Sequence, residues 1–102
     1  MANPDDKPLP AVGVYWVKEE DYAALIQVFD DGDKMPRTWT EWLTMAEEME
    51  RGLKAYGHLV MRVHIDPNTF PAWCAANGTT PGREGRKKLV AEAVSERYGP
   101  QT

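Results

Sequence analysis

The sequence predicts a small two-layer α/β (or α+β) domain in the order β-α-α-β-α-α, with two strands per chain. Three observations carry this. His58 to Ile65 alternates strictly, with Leu59, Met61, Val63 and Ile65 in one row and His58, Val60, Arg62 and His64 in the other, the period of a strand. Tyr22, Leu25, Ile26 and Phe29, and later Trp39, Trp42, Leu43 and Ala46, follow the period of a buried helical stripe. With 102 residues, 42% hydrophobic and 27% charged, the chain suits one globular domain rather than two. Two strands flanked by helices can pair in parallel through a crossover. So narrow a sheet leaves its edges open, and pairing across a two-fold axis would give a four-stranded sheet. A homodimer is therefore expected.

Residues 1–10 hold three prolines and two adjacent aspartates and read as a flexible tail. The globular domain spans 11–98, and 99–102 is a C-terminal tail. Ala11 to Val17 is the first strand, apolar in both rows and so covered on both faces. Glu19 to Asp31 is the first helix, with Glu19, Glu20 and Asp21 favoured by its N-terminal dipole and Gly32 as its stop. Asp30, Asp31 and Asp33 fall at the wrong end for that dipole, a local conflict of the sort that functional sites tolerate.

Thr38-Trp39-Thr40-Glu41 fits a capping box opening the longest helix. Trp39, Trp42, Leu43, Ala46, Met49, Leu53 and Tyr56 trace its buried face, and Gly57 ends it before the central strand. Asp66-Pro67 is a helix start, although Pro71 allows a later beginning near Phe70. The last helix covers 83–98, with Leu89, Val90, Ala93, Val94 and Tyr98 inward and Gly99-Pro100 as the stop.

No apolar run approaches the roughly 20 residues that span a bilayer, and the polar, acidic start lacks the apolar core of a signal peptide. One cysteine, Cys74, makes no intrachain disulfide, so a cytoplasmic location is expected. The net charge of −4 is uneven: residues 1–50 carry 12 acidic against 4 basic side chains, and 51–102 carry 4 against 8. Pairing between the halves is the simplest explanation.

Three places could carry chemistry. His64 and Asp66 share a strand face about 7 Å apart, the arrangement of an oriented imidazole. No serine or cysteine is evidently paired with them, and Asp66 already serves as a cap, so an enzymatic role ranks last. Metal is not expected: the chain has no Cys-x-x-Cys or His-Glu-x-x-His, and His58 lies about 20 Å along the strand from His64. Asp30-Asp31-Gly32-Asp33 could hold a hard cation only weakly, having no distal glutamate. The segment 80–88 gathers Arg83, Arg86, Lys87 and Lys88 at a helix start, where a phosphate-type anion would be welcome. It matches neither a phosphate-binding loop nor a dinucleotide fingerprint, so no cofactor is expected. A chain with a pI near 5.1 is a poor nucleic-acid binder.

Tyr22-x-x-Leu25-Ile26, Asp33-x-Met35-Pro36-x-Thr38-x-x-Glu41-Trp42-Leu43 and Asp66-Pro67-x-x-Phe70-x-x-Trp73-Cys74-x-x-x-Gly78 together look like small bacterial proteins of about this length. The resemblance implies a bacterial cytoplasmic domain and no mechanism. The leading expectation is an interaction or regulatory module, with itself or another protein as partner. Arg62 and His64 on the sheet, Arg83, Arg86 and Lys87 on the last helix, and Trp39 in the first turn of the long helix are its contact residues. The alternative is an anion or nucleotide-phosphate binder using 80–88.

Overall fold

The computed structural model describes residues 9–99, so most of the two expected tails, 1–8 and 100–102, lies outside the described residues. Strand β1 (Val12–Trp16) is followed by helices α1 (Tyr22–Val28) and α2 (Trp39–Ala55), strand β2 (Val60–His64), and helices α3 (Phe70–Ala76) and α4 (Arg83–Tyr98). This is the β-α-α-β-α-α order expected. The strands pair in parallel, with Val12 opposite Val60 and Trp16 opposite His64.

Each face of this narrow sheet is covered. On one, Trp16 meets Trp42 of α2 edge to face at 5.4 Å, and both are buried. On the other, α4 crosses directly over Gly13. A Cβ there would lie 2.4 Å from Val90 Cγ1 and 2.7 Å from Val94 Cγ2, so the missing side chain is what lets α4 sit so close. Leu25, Phe29, Phe70 and Cys74 complete the core between the helices. Of the expected core row, Val63 in β2 and Ile65 just after it are buried, whereas Leu59 just before it is 54% exposed.

Local chemistry accounts for most element bounds. The Thr38 hydroxyl accepts the Glu41 N–H at 3.1 Å and caps α2. Helix α3 takes the later of its two expected starts. Asp66 Oδ1 accepts the Asn68 N–H at 2.8 Å in a local turn, and regular helix begins at Phe70 with Pro71 in the first turn, where its missing N–H costs nothing.

Two expectations are corrected. Helix α1 is shorter than 19–31: Glu19–Asp21 form a 3-10 turn, and Phe29 leaves the helix in an extended conformation. Asp30 then donates its N–H to Pro81 O at 3.0 Å, which draws the chain toward α4. On α2, Met49 and Tyr56 are 62% and 79% exposed rather than buried. Seventeen residues of helix span about 25 Å, and a sheet of two strands is too narrow to cover the whole stripe.

Helix α3 packs on α4 at Gly85, where a Cβ would fall 2.2 Å from the Thr80 carbonyl oxygen and 2.8 Å from Cys74 Sγ. Backbone cannot yield as a flexible side chain does. Gly85→Ala is therefore expected to destabilise the protein by about 1–3 kcal/mol despite alanine's better helix propensity. Chemical denaturation checks this, and a variant as stable as the parent would mean the α3–α4 contact is looser than drawn.

Candidate interaction groove

The sheet register determines which peptide groups are left over. Val12 donates its N–H to Leu59 O at 2.8 Å, and Trp16 O accepts from Ile65 N at 3.1 Å. In a parallel ladder these bonds aim the peptide groups of Val12, Val14 and Trp16 at β2. Those of Gly13 and Tyr15 therefore aim the opposite way, along the open edge of β1. Among the described residues, no hydrogen bond engages them there.

That edge is the floor of a groove of about 410 Å³. One wall is α2, contributing Trp42, Met45, Ala46 and Met49. Met45 and Met49 are 60% and 62% exposed, so the part of the α2 stripe that overhangs the sheet stands where a third strand would be covered. The other wall is α4, contributing Arg83, Arg86, Lys87 and Val90. Lys34, Met35 and Pro36 close one end. The Tyr22 hydroxyl donates to Pro36 O at 2.6 Å and holds this end in place; burial raises the Tyr22 pKa, so the donor keeps its proton. The Tyr15 hydroxyl accepts from Trp42 Nε1 at 3.3 Å and ties the floor to the α2 wall.

The groove has four cationic residues in its lining and no carboxylate, in a chain whose net charge is −4. One cation is already committed. Arg86 is buried, with bonds of 2.8 and 2.7 Å to the two oxygens of Asp31. Its guanidinium also lies over the rings of Tyr15 and Phe29, at 5.0 and 4.6 Å. Burial, the largest influence, opposes its charge, but the hydrogen bonds to Asp31 and the charges of Tyr15 and Asp31 together raise the Arg86 pKa. The same bonds lower the Asp31 pKa. Lys34, Arg83 and Lys87 are exposed at the lip, where Glu84 approaches Lys87 to 3.9 Å.

The sequence-predicted contact residues separate into three groups. Arg83, Arg86 and Lys87 line the groove, with Arg86 as its structural anchor. Arg62 is bonded to both Glu50 oxygens at 2.7 and 2.8 Å and stacks 3.8 Å over Trp16, which makes it a brace between β2 and α2. Trp39 is half-buried, and its indole N–H donates to Val17 O at 2.8 Å. His64 lies elsewhere, exposed, beside Asp66, Thr69, Phe70, Trp73 and Leu89 in a cleft of about 160 Å³. Cys74 is fully buried with its thiol pKa raised by burial, unsuited to serve as a nucleophile for that cleft.

The acidic turn has a structural explanation. Although Asp30 and Asp31 follow α1, they lie at the start of α4, where a negative charge is favoured. A Cβ on Gly82, the N-cap of α4, would be 3.5 Å from Asp30 Oδ2. The anion position offered by segment 80–88 thus has carboxylates of the chain itself beside it. Among the described residues, no three His, Cys, Asp or Glu side chains gather as a metal site, and no helix is long and apolar enough to cross a membrane.

Sequence reasoning missed the groove because its parts come from four separate segments. The available signal was the apolar stripe of α2, which is longer than two strands can cover. No protein-family model, curated protein or solved structure matches this chain.

Proposed function

We propose that the protein is an interaction module that receives an extended segment of a partner as an added strand on the open edge of β1. The observation that carries this reading is the edge itself: the outward peptide groups of Gly13 and Tyr15 run along the floor of a groove whose α2 wall overhangs them with exposed methionines. Main-chain bonds supply affinity in such a complex, and alternate side chains supply specificity. Methionine suits a surface that must accept more than one apolar side chain. A single free, buried cysteine fits a reducing compartment, and we assign the module to the cytoplasm.

The test is selection of displayed random peptides on the immobilised protein, followed by binding measurements on a Met45→Asp/Met49→Asp variant. Both methionines are more than half exposed, so the variant should fold. Selected peptides should bind the parent with micromolar affinity and lose about tenfold or more on the variant, or roughly 1.4 kcal/mol. Peptides that bind both proteins equally would place recognition outside the groove and overturn the reading.

A further inference from the structure

The two walls of the groove differ in chemistry, and a strand reads both at once. Side chains of an added strand alternate between the faces of the sheet. Those pointing to one face meet the α2 wall, where Trp42, Met45 and Met49 are apolar. Those pointing to the other meet the α4 wall, where Arg83 and Lys87 are exposed cations near Lys34. Resting on the strand-addition reading, we propose that the segment received here comes from another protein and alternates apolar with acidic residues.

A second copy of this chain fits less well. Its own strands, Val12–Trp16 and Val60–His64, contain no carboxylate to offer the α4 wall. A two-fold axis through the sheet would also keep both α4 helices on one face. Arg83 and Lys87 of one copy would then approach the same cations of the other, which like-charge repulsion opposes. The chain's own strands offer this cationic wall no carboxylate, so it favours an acidic strand from another protein.

The experiment uses three capped dodecapeptides: alternating valine and glutamate, the same residues grouped in pairs, and alternating valine and lysine. Binding is read by fluorescence anisotropy at low and moderate salt, and the site by amide chemical shifts. The alternating valine–glutamate peptide should bind about tenfold tighter than either control and shift the amides of Gly13 and Tyr15. An Arg83→Glu/Lys87→Glu variant, altered only at exposed positions, should reverse the preference toward the valine–lysine peptide. Equal binding of the paired-residue isomer would reduce the effect to polyanion attraction and overturn the proposal. So would shifts confined to α4. If peptides from the random selection occupy the groove without an acidic face, this inference fails while strand addition stands. If the protein instead sediments as a dimer that the Met45→Asp/Met49→Asp change dissociates, the groove belongs to a second copy, and the proposal of another protein's acidic strand is overturned.

Discussion

Replacing Trp42 by alanine is expected to remove about 3–5 kcal/mol of stability, the range for truncating a buried aromatic side chain. Trp42 is 4% exposed and stands where α2 meets the sheet. Its ring lies 5.4 Å from Trp16, 5.9 Å from Tyr15 and 6.3 Å from Tyr22, so one deletion removes a side from three aromatic contacts. The Tyr22 ring cannot swing in to close the space, because its hydroxyl is held by Pro36 O, and the Tyr15 hydroxyl loses the Trp42 N–H that it accepts. For a domain of this size, the melting temperature should fall by at least about 12 °C. Thermal unfolding followed by far-UV circular dichroism measures it. A fall below about 4 °C would mean that the aromatic cluster is not the keystone of the α2–sheet contact.

The second large effect concerns the pair beneath the groove. Asp31→Asn is expected to cost about 3 kcal/mol at neutral pH, because it leaves the Arg86 guanidinium buried without its counter-charge. The figure is held below the upper end for buried pairs because 29% of the Asp31 side chain stays exposed. Replacing both residues together, Asp31→Asn with Arg86→Met, should cost less than the single change, since no buried charge is stranded.

The pH dependence follows from the sign of the shift. The folded-state pKa of Asp31 is lowered by its bonds to Arg86, and that of Glu50 by its bonds to Arg62. A carboxyl with a depressed folded pKa contributes stability that is fully present above its unfolded value, about 4, and is lost as pH falls through the folded value. The gap between the parent and Asp31→Asn should therefore be constant from pH 7 to about 5 and shrink below about 4. Urea titrations across that range give the answer. A gap unchanged at pH 2.5 would show that the ionised carboxylate is not what stabilises Arg86.

How much of this was legible in the sequence depends on how local the cause is. The cap at Thr38 and the bounds of α4 at Arg83 and Tyr98 are set by residues within a turn or two, and periodicity finds them. The end of α1 is not local. Phe29 to Asp31 leave the helix because Asp30 bonds to Pro81 and Asp31 to Arg86, some fifty residues away. Asp30 and Asp31, which look misplaced in sequence, are well placed in space. Arg62 and Trp39 carry the same lesson: both looked like contact residues, and each is used internally, by Glu50 and by the Val17 carbonyl. The candidate site was half visible, through Arg83 and Lys87. Its floor and its apolar wall required knowing which edge of β1 the register leaves open.

The parallel pairing of β1 with β2 has a kinetic consequence. Val12 finds its partner at Val60, so the sheet closes a loop containing two whole helices. Such a closure is slow to be rewarded, because chain entropy is lost before the non-local bonds form. During synthesis β1 leaves the ribosome first and waits, both edges bare, until residue 64 has followed. An apolar strand in that position is exposed to mispairing with other nascent chains. A segment able to dock on β1 would shield one of those edges before β2 exists to cover the other.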